Sequence, residues 1–141
     1  MGYFEKRIVN GERGLHMYEV KIKADFSAAH NLNEAGGKCE SLHGHNFKVE
    51  VAVESETLDD SGMVIDFRLL KEKTRDLLER LDHRYLNELP WFQGKNPSAE
   101  NIAFFLFQEI ARQIDPGPGR VIWVAVWESD TSRAIYRRPP K

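Results

Sequence analysis

Residues 18–53 read YEVKIKADFSAAHNLNEAGGKCESLHGHNFKVEVAV, two alternating stretches separated by a polar one that carries two glycines. In the first, Tyr18, Val20, Ile22, Ala24, Phe26 and Ala28 share one parity, and Glu19, Lys21, Lys23, Asp25 and Ser27 take the other. Side chains of a strand point alternately to its two faces, so this period of two predicts a half-buried strand, with His30 on the apolar parity. In the second stretch Phe47, Val49, Val51 and Val53 alternate with Asn46, Lys48, Glu50 and Glu54, and His43 and His45 keep the apolar parity. Asn31 to Leu42, with Gly36-Gly37, is longer than a tight turn and predicts a loop joining two antiparallel strands.

Downstream, Asp59-Asp60-Ser61-Gly62 reads as a turn. Phe67, Leu70, Thr74, Leu77, Leu78 and Leu81 then follow helical spacing, with Asp66 placed to cap, and predict a helix of about four turns. Pro90 ends the segment that follows. Asn96-Pro97 offers a cap and a first-turn proline for a second helix through Ile114, whose stripe is Ile102, Phe105, Leu106 and Ile110. Asp115-Pro116-Gly117-Pro118-Gly119 stops it. Val121 to Trp127 is short and continuously apolar, as a buried strand is, and Ser132 to Arg138 can pair back on it after a turn at Ser129-Asp130-Thr131. The order is ββααββ, an α+β class with an antiparallel sheet.

A chain of 141 residues is long enough for one domain with its own core, expected over residues 17–138. Residues 1–16 read as a flexible extension and 139–141 as a tail. With 20 basic against 22 acidic residues and no long run of either sign, nucleic acid is not an expected partner. No apolar stretch approaches the roughly 20 residues of a membrane helix, and residues 1–14 lack the apolar core of a signal peptide. The expected location is the cytoplasm, with no membrane partner. Cys39, the single cysteine, excludes an internal disulfide.

His43 and His45, two apart on a strand, project to the same side, and an antiparallel hairpin brings the end of the first strand, His30, beside them. Three imidazoles on an apolar face are costly to bury without a shared partner. A three-histidine site leaves the fourth position of tetrahedral zinc open, as in catalytic zinc sites; Cys39 as a fourth ligand would instead close a structural site. Imidazole also suits iron, copper and nickel, so zinc is the first choice rather than the only one.

Cys39-Glu40-Ser41-Leu42-His43-Gly44-His45, preceded by Phe26-Ser27-Ala28-Ala29-His30, resembles the zinc-site signature of the 6-pyruvoyl-tetrahydropterin synthase family. The resemblance continues through Asp66-Phe67, Leu81-Asp82-His83-Arg84-Tyr85-Leu86-Asn87, Pro97-Ser98-Ala99-Glu100-Asn101 and Trp127-Glu128-Ser129, and covers residues 17–138. Cysteine four positions before His43 is similar to the spacing of the bacterial queuosine-pathway branch, the 6-carboxytetrahydropterin synthases. This implies the tunnelling fold, whose subunits join through their strands into a trimeric barrel, two trimers stacking as a homohexamer with active sites between subunits. It also implies a zinc-dependent lyase acting on 7,8-dihydroneopterin triphosphate, with 6-carboxy-5,6,7,8-tetrahydropterin, triphosphate and acetaldehyde as products.

By the same resemblance Cys39, beside Lys38, is the base that removes a side-chain proton. Asp82-His83 matches the second catalytic pair, although His83 also reads as a cation near a helix C-terminus. Glu128 resembles the residue that anchors the pterin through its 2-amino and N3 edge. Ser98 and Glu100 match positions that help hold the ring, while equally suiting a helix's first turn. Lys38, Arg84 or Arg133 could receive the triphosphate, and no glycine-rich phosphate loop singles one out. Glu40, three positions before His43, resembles the glutamate of members that cleave by retro-aldol chemistry to 6-hydroxymethyl-7,8-dihydropterin. That activity, 6-pyruvoyl-tetrahydropterin synthase activity, and a noncatalytic zinc- or pterin-binding oligomer are the alternatives.

Overall fold

A computed structural model describes residues 16–140. Strand β1 (Tyr18–His30) leads through a loop into β2 (His43–Ser55), followed by helices α1 (Phe67–Leu78) and α2 (Ala99–Ile114) and strands β3 (Arg120–Ser129) and β4 (Ser132–Arg137). This is the expected ββααββ order. All but His16 of the expected extension, together with Lys141, lies outside the described residues.

The sheet is antiparallel throughout, in the order β1-β2-β3-β4. The alternation of β1 and β2 decides which face is covered. Ile22, Phe26, Phe47, Val49, Val51 and Val53 are buried under the helices with Val121, Val124 and Val126 of β3. From above, α2 contributes Ile102, Phe105, Leu106 and Ile110, and α1 contributes Leu70, Leu77 and Leu78. Apolar burial on this face is the main term holding the layers together. No helix among the described residues is long and apolar enough to cross a membrane.

Local chemistry corrects several boundaries. Asp66 caps α1 as expected, its Oδ1 accepting the Arg68 N–H at 2.8 Å. The helix stops at Leu78, one turn early, and Leu81 is buried in the turns beyond it. Phe67, expected on the apolar stripe, is 49% exposed. Asn96 does not cap α2; Ser98 does, with its hydroxyl accepting from the Asn101 N–H. The Asn96 carboxamide is engaged elsewhere, on the backbone of Asn33. The 3-10 turn Leu86–Glu88 ends at extended Leu89, just before Pro90 as expected, and Pro90 also opens a second 3-10 turn, Pro90–Phe92, because its fixed φ suits a first helical position.

Candidate metal centre and active site

The β1–β2 register pairs His30 with His43 and Ala28 with His45, so the three imidazoles gather at the loop end of the hairpin. One nitrogen from each ring lies within 4.8 Å of the others. His30 is fully buried, and its Nδ1 sits 2.8 Å from the Pro97 carbonyl oxygen. The carbonyl can only accept, so Nδ1 carries the proton and Nε2 keeps its lone pair. His43 repeats the arrangement, with Nδ1 2.7 Å from the Ser41 carbonyl oxygen. The Nε2 atoms of His30 and His45 are buried without a hydrogen-bond partner among the described residues. Burial lowers the pKa of His30, the Pro97 bond opposes it, and the neighbouring His43 adds to the lowering. Three imidazoles with nitrogens this close together, two of them oriented through Nδ1 and two with buried, unpartnered Nε2 atoms, fit a divalent metal such as zinc. Cys39 is exposed and is not part of this cluster.

Glu128 approaches from β3, its Oε2 4.0 Å from His45 Nε2. It occupies a β-bulge: Trp127 pairs with Arg133 and Ser129 with Ser132, which leaves Glu128 without an opposite number. Such a bulge re-aims one side chain while the ladder continues on either side. On the far face, Trp127 Nε1 donates to Glu50 Oε1 at 2.7 Å, and the Arg133 guanidinium lies 5.0 Å from the Trp127 ring. Glu128 and Glu100 line one small depression of about 160 Å³ at the start of α2, together with Ala99 and Arg133. Ser98 caps the same helix.

Asp82 and His83 lie along the outer edge of β1. Asp82 Oδ1 accepts the Ser27 N–H at 2.8 Å, and its Oδ2 lies 2.9 Å from His83 Nδ1. Those two bonds, the backbone one first, hold the Asp82 carboxyl below the usual aspartate range. His83 has φ 58, and its own N–H donates to the Ser27 carbonyl at 2.6 Å. With His45, Arg84 and Tyr85 it lines a shallow depression of about 510 Å³.

Cys39 and Glu40 sit at the 3-10 turn Gly37–Cys39 within the loop, both exposed. Of the candidate cations, Arg133 is committed to Glu50 at 3.4 Å. Glu50 is what the sequence reading missed. It falls on the polar parity of β2, yet it is only 5% exposed, because Lys21, Trp127 and Arg133 close around it from three other strands.

Fold and cluster together define an α+β protein with a three-histidine site at one end of an antiparallel sheet. The sequence matches the model of the 6-pyruvoyl tetrahydropterin synthase family over residues 19–139, and the chain belongs to that family. It is 37% identical over 128 residues to a 6-carboxy-5,6,7,8-tetrahydropterin synthase of Synechocystis sp., covering 87% of this chain and 95% of that protein. It is 36% identical over 111 residues to a dihydroneopterin monophosphate aldolase of Pyrococcus furiosus, covering 79% and 90% respectively. The structure of Caenorhabditis elegans 6-pyruvoyl tetrahydropterin synthase superposes with a TM-score of 0.78 at 27% identity, covering 87% of this chain and 96% of that one.

Proposed function

We propose that this chain is a zinc-dependent lyase that converts 7,8-dihydroneopterin triphosphate to 6-carboxy-5,6,7,8-tetrahydropterin, releasing triphosphate and acetaldehyde. The observation that carries the proposal is the convergence of His30, His43 and His45, two of them with orphaned Nε2 atoms, in a chain that resembles enzymes of that name. Zinc on these three nitrogens would polarise the side-chain hydroxyls of the substrate and acidify the neighbouring C–H.

The chain's own residues supply the rest. Glu128, re-aimed by its bulge, accepts hydrogen bonds from the 2-amino group and N3 of the pterin, with Glu100 in the same depression. Cys39 takes the side-chain proton as its thiolate. His83, steadied through Nδ1 by Asp82, offers Nε2 for the return of a proton. The expected setting is a cytoplasmic homohexamer in queuosine biosynthesis.

A second reading has a specific observation behind it: the similarity to a dihydroneopterin monophosphate aldolase, with Glu40 adjacent to Cys39. In that reading Glu40 is the base, and the product is 6-hydroxymethyl-7,8-dihydropterin. Anaerobic incubation with 7,8-dihydroneopterin triphosphate and product identification decides between them. We expect acetaldehyde and 6-carboxytetrahydropterin from the native protein and from E40A, and none from C39A. Formation of 6-hydroxymethyl-7,8-dihydropterin alone, abolished in E40A, would replace the first reading by the second.

A further inference from the structure

The loop between the two ligand-bearing strands has little to hold it from within. Its turn contains Gly36 and Gly37, both at positive φ, and apart from one bond between Leu32 and Cys39 its internal backbone bonds, Ala35 N–H to Leu32 O, Glu40 N–H to Gly37 O and Ser41 N–H to Lys38 O, are all 3.3–3.4 Å long. A segment of that kind samples many conformations unless it is tied from outside.

Three consecutive residues supply the ties. The Asn31 N–H donates to Asn87 Oδ1 at 3.0 Å while Asn87 Nδ2 donates to the Asn31 carbonyl at 2.9 Å. The Asn33 N–H donates to Asn96 Oδ1 at 2.8 Å while Asn96 Nδ2 donates to the Asn33 carbonyl at 3.0 Å. A carboxamide presents a donor and an acceptor side by side, so each asparagine grips one residue's backbone as a neighbouring strand would. Leu32, between the two grips, donates its N–H to the Cys39 carbonyl at 2.7 Å. Among the backbone bonds within the loop that one is the shortest, and it ties residue 39 to residue 32.

Asn96 is fixed in its turn. Its carbonyl accepts from Asn101 Nδ2 at 2.8 Å, beside the Ser98 cap of α2, and the next residue supplies the Pro97 carbonyl to His30. One short segment at the start of α2 therefore grips both the buried histidine and the loop that carries Cys39.

We propose that Asn96, seconded by Asn87, is a positioning residue that sets Cys39 against the histidine cluster. The proposal rests on the reading of Cys39 as the proton-accepting base. It requires that loosening the grip misplaces the thiol while metal loading is kept, because Asn101 and Ser98 still hold Pro97 in place.

The test uses the zinc-loaded protein and two readouts: amide hydrogen exchange at Leu32, and kcat and KM with 7,8-dihydroneopterin triphosphate. In N96A the Leu32 amide should exchange about fivefold to tenfold faster, the equivalent of one hydrogen bond, while zinc content and the β1–β2 amides stay as in the native chain. The kcat should fall about tenfold to a hundredfold with KM little changed, as for a displaced reacting group. K95A, altered next door on the same surface, should change neither readout. If N96A does not fold, N96D serves, since it keeps the bond from Asn33 N–H and loses only the one to the Asn33 carbonyl. Unaltered exchange at Leu32 overturns the proposal. So does faster exchange with native kcat in a protein that C39A inactivates. Full activity in C39A sinks the catalytic reading instead, and the grip on the loop is then judged by exchange alone.

Discussion

Two effects act against each other on His30, and burial wins: its pKa is lowered in spite of the bond to Pro97. Its folded value therefore lies below the ordinary one of about 6.5. In the metal-free chain His30 contributes stability that is fully present above that pH and is lost as pH falls through the lowered value. The urea midpoint of the apo protein should drop between neutral pH and about pH 5, and H30N should lack that slope. Metal binding requires the same unprotonated nitrogens, so acid also strips the site. Native protein should carry about one zinc per chain and H45A almost none; full zinc retention in H45A by metal analysis would refute the three-histidine site. His83 offers a different kind of evidence. Its φ of 58 is a conformation that costs a residue with a Cβ about 1 kcal/mol or more and glycine nothing. H83G should thus be more stable than H83A by about that amount, yet as inactive. If H83G kept native kcat, the histidine at that position would be a matter of backbone geometry alone.

At the scale of elements, the register of one hairpin settles much of the site. Alternating parity along β1 and β2 predicts that His30, His43 and His45 share a face, and the Cα pairing of His30 with His43 follows from it. Local patterns of this sort are legible in sequence because period and partner lie within one stretch of chain. Contacts made across the sheet are not. Glu50 looks like any outward-facing acid until Lys21, Trp127 and Arg133 are placed around it, and Asp82 gives no sign that it caps Ser27, 55 residues away. The cap of α2 is hidden in sequence for the same reason: Asn96 is drawn off by Asn33, 63 residues earlier, and Ser98 caps instead. The Glu50 cluster stiffens the strand pair that carries the Glu128 bulge, and it can be probed directly. Burial raises the Glu50 pKa, but bonds from Lys21 and Trp127 outweigh it and leave the net value lowered. Its stabilising contribution is therefore present above the unfolded value of about 4.3 and disappears as pH falls through the folded one. K21M removes the 2.6 Å partner and leaves burial less opposed. In denaturant titrations K21M should be less stable by about 1–3 kcal/mol at pH 7, with its acid decline starting at a higher pH than in the native chain. Coincident onsets would show that Lys21 does not set the charge state of Glu50.

For the molecule as a whole, the sheet has two unfinished edges among the described residues, and the candidate site is divided. The outer side of β1 is bonded at Ser27 and Ala29 by residues 83–85, and the stretch from Tyr18 to Asp25 pairs on its β2 side. At the other end of the sheet β4 pairs, among the described residues, with β3 alone. Open edges are templates for strand pairing with another copy. His83 shares a shallow surface depression with His45, whereas Glu100 and Glu128 line a separate one, and Cys39 stands on an exposed turn. Groups so spread can close on one substrate if neighbouring copies bring them together, which is the expected homo-oligomer, a hexamer. Sedimentation of a fully active monomer would count against this directly. A sharper test mixes two inactive variants, C39A and H83A, by unfolding and refolding them together. Neither change touches a proposed metal ligand. If each site takes Cys39 from one copy and His83 from another, equal mixing gives about a quarter of the sites both residues, and about a quarter of native activity returns. If both residues act within one chain, no mixed pair of copies is ever complete, and the refolded mixture stays as inactive as its parts.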